Sequence, residues 1–187
     1  MTVNDAALLA GLIGVVTIQR VFELRLARRN TAWARARGAR EFGARHHAAF
    51  FVLHAAWLVA WVAEAWANGP RLDPHAPAWL LLFVAALVLR ASAIAALGPR
   101  WNTRILVIPG MPPVRRGPYR VLRHPNYVAV VVELAALPLA FGAVVTAVLF
   151  GALNLSLLLC VRIPAEEDAL EWAAHEGGVL DLSARTA

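Results

Sequence analysis

RHPNY (residues 123–127), VAVVVELAALPLAFGAVVTAVLFGALNLSLLLCV (128–161) and RIPAEE (162–167) follow one another without interruption. The middle segment is almost wholly apolar, with Glu133, Asn154 and Ser156 among its few polar residues. Its length suffices for two short or tilted membrane spans joined by a tight turn. Such a hairpin returns the second polar cluster to the membrane face where the first one begins. The pattern therefore indicates a site that handles both a polar and a lipophilic molecule.

Composition places the whole chain in a membrane. Of its 187 residues, 60% are hydrophobic, and the mean hydropathy is +0.60, which is unusual for a soluble domain. The apolar blocks predict spans at Ala6–Leu26, Ala48–Ala67, Pro77–Leu97, Tyr127–Phe141 and Ala143–Ile163. Because lipid cannot satisfy backbone hydrogen bonds, we predict an all-α integral membrane fold of about five transmembrane helices. We predict a single membrane domain, with an N-terminal part of three helices (1–98), a half that contains both polar clusters (99–175) and a tail (176–187).

The positions of the basic residues predict how the chain is oriented in the membrane. All 18 are arginines, of which seven lie in Arg25–Arg45 and six in Arg100–Arg123, the loops after spans one and three. By the positive-inside rule both loops and the C-terminus are cytoplasmic and the N-terminus is outside. A nucleic-acid role is the less favoured explanation, and contact with anionic membrane lipid is the favoured one. The single Cys160 excludes an internal disulfide and a multi-cysteine metal site, and we predict no metal.

The loop before span four is the longest polar stretch. Trp101–Arg123 contains Pro-Gly, Pro-Pro and Gly-Pro pairs, so it cannot be one continuous helix. We expect it to fold over the cytosolic end of the bundle, where it and a short C-terminal helix form a binding site.

Span four is predicted to start at His124-Pro125, since proline suits the first helical position. The backbone N–H groups of residues 126–128 would then be free and, beside Arg123 and His124, could bind a carboxylate or phosphate. The alternative is that these two basic residues only mark the membrane interface.

At the end of the hairpin, Arg162 and Glu166 share a helix face if the helix continues past Pro164. Pro164 could instead begin a new helix, whose first turn would favour Glu166, Glu167 and Asp168 for electrostatic reasons alone. The functional alternative is that one carboxylate binds a hydroxyl or amine of a cofactor.

Several polar residues fall inside predicted spans. A carboxylate there costs roughly 2.5–3.5 kcal/mol, so Glu133 is expected to face a cavity or a partner. We hypothesise that it lines the pocket for the lipophilic molecule, as a base or paired with Arg90. Arg20 and Glu23 are interpreted as an i,i+3 pair, and Arg90 could extend toward the cytosolic interface. The stripe on span two is interpreted as helix packing with an interfacial carboxylate: His54, Trp57, Trp61 and Glu64.

Taken together, Gly117-Pro118-Tyr119, RHPNY at 123–127 and Arg162 followed by Glu166-Glu167 resemble the isoprenylcysteine carboxyl methyltransferase family. The similarity covers about Trp101–Leu170. It implies an integral membrane enzyme that uses S-adenosylmethionine. It also implies cofactor contacts at Val114, Tyr119, His124, Pro125, Asn126, Tyr127, Glu166 and Glu167, with Arg162 facing the acceptor; the Pro-Pro before Val114 departs from the family pattern.

The expected reaction is methyl transfer to an oxygen of a lipophilic acceptor. A carboxylate, as in an isoprenylcysteine, needs no base, whereas a phenol or enol, as in a long-chain alkylpyrone or alkylresorcinol, must lose a proton. Arg123, Arg162 and Glu133 are the predicted catalytic residues. The arginine-rich composition favours a bacterial cytoplasmic membrane. Two alternatives are an NADPH-dependent reductase of the sterol type, which also carries an HPNY-like element, and a non-enzymatic membrane adaptor.

Overall fold

Six helices and two short strands build the fold. In the computed structural model, residues 3–185 have a described backbone and residues 5–176 have described side chains. The helices are α1 (Val3–Arg35), α2 (Ala44–Ala67), α3 (Ala76–Leu97), α4 (Pro125–Ala140), α5 (Val144–Leu157) and α6 (Ile163–Arg185), and the strands are β1 (Arg40–Phe42) and β2 (Ile105–Val107). The end of the predicted tail, residues 186 and 187, lies outside the described residues, as do the side chains from residue 177 onward.

The predicted all-α membrane fold is confirmed. Among the residues with described side chains, four helical segments are long and apolar enough to cross a membrane: Asp5–Arg35, Ala44–Ala67, Ala76–Arg100 and Val144–Glu176. The fourth predicted span is the shorter helix α4, with 16 residues. Helix α4 is too short to cross a bilayer of ordinary thickness upright. It packs along α3, and about half of its side chains are buried.

The core lies where α2 meets the hairpin of α4 and α5. Trp57 and Trp61 stack with ring centroids 5.6 Å apart, and both are buried. The indole Nε1 of Trp57 donates to the carbonyl of Leu134 at 3.0 Å, so α2 is tied to the backbone of α4. The packing interpretation of the stripe on span two is therefore confirmed for the two tryptophans.

Glu64, at the end of the same stripe, caps another helix. Its carboxylate accepts hydrogen bonds from the backbone N–H groups of Val145 and Thr146, at 3.0 and 2.7 Å, and from the Thr146 hydroxyl at 2.6 Å. The first N–H groups of a helix have no intrahelical acceptor, and a negative charge there is favourable. Glu64 thus closes the start of α5 from a neighbouring helix.

The helix of the last span continues past its proline. The turn Leu158–Arg162 is π-helical and joins α5 to α6, so the predicted short C-terminal helix is the 23-residue extension of α5. Pro164 has no N–H to donate to the carbonyl four residues earlier, and its ring would clash with that carbonyl in a regular α-helix. The wider π-helical turn before Pro164 avoids the clash. The open alternative is thereby resolved: Arg162 and Glu166 lie one turn apart on one continuous helix.

A two-stranded antiparallel sheet on the polar side of the bundle was not expected from the sequence. Arg40 pairs with Val107 and Phe42 with Ile105, and the sheet packs on α6 around the buried Ala169. The sheet joins the loop after α1 to the loop after α3. The first arginine-rich segment is a loop only in part, because α1 continues to Arg35 and contains four of the seven arginines of Arg25–Arg45.

Glu41 of β1 ties these two segments together electrostatically. It accepts hydrogen bonds from Arg104 at 2.5 Å and from Arg35 at 3.1 Å. Burial alone would raise the pKa of Glu41, but the two arginines outweigh it and hold the pKa below its usual value. The carboxylate is therefore ionised across the physiological pH range.

Candidate active site

One cavity of about 480 Å³ collects most of the predicted site residues. Its walls come from α1, α2, the loop 101–114, the start of α4 and the junction of α5 with α6. The predicted residues on its lining are Val114, Tyr119, His124, Asn126, Tyr127, Arg162 and Glu166. The hairpin prediction is thus confirmed in its main consequence, since the polar clusters before α4 and after α5 meet at one end of the bundle.

Tyr127 connects the two clusters. Its hydroxyl donates a short hydrogen bond to Glu166 and accepts one from Nε of Arg162 at 3.0 Å. Arg162 also donates from Nη2 to the carbonyl of Thr103 at 3.0 Å, which anchors the guanidinium to the loop. The arginine is buried, and its side chain is held in place by α4 and the loop. A fixed positive charge and a fixed carboxylate therefore face the same cavity.

His124 and Asn126 bring unused polar atoms to this end of the cavity. The imidazole of His124 stacks on the Tyr127 ring, with centroids 5.3 Å apart and planes 15° from parallel. Nε2 of His124 and Oδ1 of Asn126 are buried, and neither has a hydrogen-bond partner within residues 5–176. Buried polar atoms are nearly always paired, so these two are candidates to bind a ligand.

The start of α4 offers fewer free donors than predicted. Helix α4 does begin at Pro125, but the N–H groups of Tyr127 and Val128 both bond the carbonyl of His124, at 3.0 and 3.2 Å. His124 is the N-cap residue, and its carbonyl accepts the first α-helical hydrogen bond, from Val128. It also accepts a 3₁₀-type hydrogen bond from Tyr127, three residues along the chain. The expectation of three free groups at residues 126–128 is wrong. Of these three N–H groups, only that of Asn126 has no backbone acceptor among the described residues.

Tyr119 is positioned by the Gly-Pro-Tyr motif. Gly117 has φ of 56°, and a Cβ there would come within 3.1 Å of the Ala96 Cβ, so the 3₁₀ turn Gly117–Arg120 packs against α3 only with glycine at this position. Burial and the nearby charge of Glu166 raise the pKa of Tyr119 above its usual value. Its phenol stays protonated at neutral pH and is available as a donor.

Four predicted residues lie off the cavity, namely Arg123, Pro125, Glu167 and Glu133. The Arg123 side chain is 83% exposed and pairs with Glu167 at 3.0 Å on the outer surface. Pro125 is buried inside the helix packing. Arg123 lies on the surface, as expected if it only marks the membrane interface, and this position does not support a catalytic role. Glu167 approaches the site only through His124, at 4.0 Å from its Nε2.

Glu133 belongs to an ionic cluster that joins α1, α3 and α4. Its Oε2 lies 2.6 Å from Arg20 and 3.7 Å from Arg90, whose guanidinium makes two bonds of 2.6 Å to Glu23. Arg20 also bonds Glu23 at 3.1 Å, as the i,i+3 spacing predicted. Two arginines and two glutamates give no net charge, which is how such groups are tolerated in lipid.

This cluster decides between the two ideas about Glu133. Arg20, Glu23 and Arg90 line the inner end of the cavity, whereas Glu133 is 1% exposed and lies behind them. The pairing with Arg90 is confirmed, and the placement of Glu133 on the pocket wall is not supported. Arg90 is buried against Glu23 and does not extend to the interface, because two carboxylates meet it inside the bundle.

Sequence reasoning missed several cavity residues. Thr103 anchors Arg162, and His47 approaches the Thr103 hydroxyl at 3.4 Å. His54 and Asn154 line the cavity from α2 and α5. The available signal for the last two was that each is polar inside an apolar span, but only the tertiary contacts separate a cavity residue from a packing residue.

Comparison with known proteins places the chain among relatives. Residues 79–172 match the model of the isoprenylcysteine carboxyl methyltransferase (ICMT) family. The chain is 36% identical to the uncharacterized protein YpbQ of Bacillus subtilis over 164 residues, which is 86% of this chain and 95% of the relative. The chain belongs to the ICMT family. It is also 28% identical to an uncharacterized protein of Haemophilus influenzae over 152 residues, 81% of this chain and 88% of that one.

Membership in the ICMT family indicates a membrane methyltransferase. The four apolar helices fit an integral membrane protein. No solved structure matches the chain significantly. The matched residues 79–172 run from α3 into α6 and include every predicted site residue.

Proposed function

We propose that this ICMT-family protein transfers a methyl group from S-adenosylmethionine to an oxygen atom of a lipophilic acceptor. The observation that carries the proposal is one continuous cavity, whose lining includes both the Tyr127–Arg162–Glu166 cluster and the facing sides of α1 and α2. A reaction between a polar donor and a lipid needs a chamber with both kinds of opening.

The residues around Tyr127 fit the cofactor. The amine and the ribose hydroxyls of S-adenosylmethionine need hydrogen-bond acceptors, which the Glu166 carboxylate and Asn126 Oδ1 can supply. Its carboxylate needs donors, and His124, the N–H of Asn126 and the Tyr119 phenol can donate. When bound, S-adenosylmethionine supplies a methyl group on a sulfonium, which an oxygen nucleophile displaces in line.

The acceptor's tail would enter between α1 and α2. In this gap Val16 and Val21 of α1 and Phe51 and Leu58 of α2 line the cavity with apolar surface. Val21 and Phe51 are exposed on the outside of the bundle, where a bilayer would surround them. A lipid chain can thus reach the chamber from the side without leaving an apolar environment.

The protein's part in the reaction is alignment and charge stabilisation. Arg162, held by Tyr127 and Thr103, presents a fixed guanidinium toward the acceptor oxygen and stabilises its negative charge. Because the guanidinium is already oriented, little reorganisation is needed when the two substrates meet. With both arginine-rich loops on the cytoplasmic side, the cofactor end of the cavity opens to the cytosol and the N-terminus lies outside. We assign the protein to a bacterial cytoplasmic membrane.

Calorimetric titration in detergent tests the cofactor. We expect S-adenosylhomocysteine to bind and NADPH not to bind. Glu166→Gln should weaken that binding by about tenfold or more, the scale of a hydrogen bond to a charged group. Glu171→Gln, an exposed change on the same helix, is the matched control. Binding of NADPH alone would favour the reductase. If neither compound binds, the non-enzymatic adaptor is favoured.

Mass spectrometry identifies the acceptor. Lipid extracts incubated with the protein and an isotopically labelled methyl donor should yield a lipid that carries one labelled methyl on oxygen. A label found only on nitrogen or carbon, or no labelled lipid at all, would contradict the proposal.

A further inference from the structure

Asn154 is an unpaired amide in the cavity wall. It lies in α5, is 0% exposed, and lines the cavity. Neither its Nδ2 nor its Oδ1 has a hydrogen-bond partner in the described part of the chain. Burying both polar atoms of an amide without partners is costly, so a side chain kept in this state marks a place where a polar ligand group can sit.

His54 faces the same chamber from α2. Its Nδ1 lies 2.7 Å from the carbonyl of Phe50, and a carbonyl can only accept, so Nδ1 carries the proton. Nε2 is then the acceptor of a neutral imidazole. His54 lines the cavity together with Asn154, and α2 packs against α5. The two side chains offer one donor, the amide Nδ2, and two acceptors, the amide Oδ1 and the imidazole Nε2.

The surrounding charge selects the kind of group that fits. The ionic cluster of Arg20, Glu23, Arg90 and Glu133 has no net charge, because two arginines meet two glutamates. Within the described residues, Nη1 of Arg90 and Oε1 of Glu133 have no hydrogen-bond partner. Asn154 adds no charge. Because the cluster has no net charge, a second carboxylate or a phosphate would meet no excess positive charge here, whereas a hydroxyl or carbonyl would satisfy the amide.

We propose that Asn154 and His54 form a head-group subsite that recognises a neutral hydroxyl or carbonyl of the acceptor, distinct from the oxygen that is methylated. This inference rests on the proposed function. It narrows the acceptor to an amphiphile with an apolar tail and a head that carries two oxygen functions. One oxygen faces Arg162, and the other hydrogen-bonds Asn154. The subsite binds and orients, and Asn154 is a specificity-determining residue.

Two lipids with the same tail test the subsite. A dihydroxy alkylbenzene carries the second hydroxyl, and a monohydroxy alkylphenol lacks it. Dissociation constants are measured in detergent, with S-adenosylhomocysteine present, by quenching of tryptophan fluorescence. We expect the wild type to prefer the dihydroxy lipid by about tenfold or more, since a site built to hydrogen-bond a hydroxyl discriminates against its absence.

The variants separate recognition from folding. Asn154→Leu should reduce the preference to less than about threefold, leave the affinity for S-adenosylhomocysteine unchanged and not lower the melting temperature, because it removes an unpaired buried amide. Asn154→Ala should reduce the preference in the same way, which guards against a steric effect of leucine. Ser156→Ala, exposed on the same helix, is the control and should retain the preference.

The outcomes distinguish the subsite from the function. A wild-type preference below about threefold, or a preference that survives in both Asn154 variants, overturns the subsite. The proposed function is judged by methyl transfer and by S-adenosylhomocysteine binding. If the wild type discriminates between the lipids through Asn154 yet methylates none, the proposed function fails and the subsite stands.

Discussion

Neutralising Glu23 should loosen the contact between α1 and the rest of the bundle. Its carboxylate receives two bonds of 2.6 Å from Arg90, one of 3.1 Å from Arg20 and one of 3.0 Å from Gln19. Glu23→Gln removes one negative charge and leaves two arginines to share Glu133. The cluster then carries an uncompensated positive charge inside the membrane.

Two scales give similar magnitudes for this change. Breaking a buried ion pair by altering one partner costs about 3–5 kcal/mol. An arginine at the centre of a membrane helix costs about 2.5–3.5 kcal/mol on insertion scales. At about 2–4 °C per kcal/mol for a chain of this size, a loss of about 2.5–5 kcal/mol corresponds to a melting temperature lower by about 5–20 °C. We take about 3 kcal/mol as the expected value, because it satisfies both scales.

The assay is thermal unfolding in detergent micelles, followed by circular dichroism. Glu171→Gln, exposed on α6, is the control and should shift the midpoint by less than about 2 °C. The double variant Glu23→Leu with Arg90→Met removes one charge of each sign and leaves the Arg20–Glu133 pair of 2.6 Å intact. It should therefore be more stable than Glu23→Gln. A shift below about 2 °C for Glu23→Gln, or a double variant as unstable as the sum of its two single changes, would refute the reasoning.

Three further changes test other contacts. Tyr127→Phe removes the hydroxyl between Arg162 and Glu166 and should lower kcat/KM for methyl transfer by about 10–100-fold with the fold intact; unchanged kinetics would contradict the orienting role. Glu64→Ala should lower stability by about 0.5–2 kcal/mol by uncapping α5, and Glu64→Gln by less, measured as melting midpoints; equal effects would argue against the cap. Glu41 has a lowered folded pKa, so its stabilisation is present above its unfolded pKa of about 4.5 and is lost as the pH falls through the folded value. Melting midpoints from pH 6 to 3 should thus fall more steeply for the wild type than for Glu41→Gln, and parallel curves would contradict the two arginine contacts.

Much of the fold could be predicted because its signals are local. Long apolar blocks report spans whatever their neighbours, and they identified α1, α2, α3 and the hairpin of α4 and α5. The sheet was missed because each strand has three residues, and its partners Arg40–Phe42 and Ile105–Val107 are far apart in the chain. No periodicity is detectable over so short a strand. The continuation past Pro164 was left open since proline is compatible with either a helix start or an irregular turn.

The candidate site was predictable in part. RHPNY and the Arg162 to Glu167 segment were recognised from their spacing, and the structure brings both to one cavity. The bridge through Tyr127 and the surface position of Arg123 were not predictable, because they depend on how α4 is rotated against α6. Asn154 showed only that it is polar in an apolar helix, and its unpaired amide is visible only with every neighbour in place.

The sequence by itself determined that the chain is a membrane bundle, that its family is the ICMT family and that two polar clusters lie at one end of a hairpin. These follow from hydrophobicity, spacing and motif, which are properties of neighbouring residues. Tertiary structure decided which polar groups neutralise one another and which are left free. The charges of Arg20, Glu23, Arg90 and Glu133 cancel, and within the described residues Asn126, His124 and Asn154 have uncharged polar atoms without a hydrogen-bond partner. The reason is physical: a charge or an amide in lipid is defined by its partners, and those partners lie on other helices.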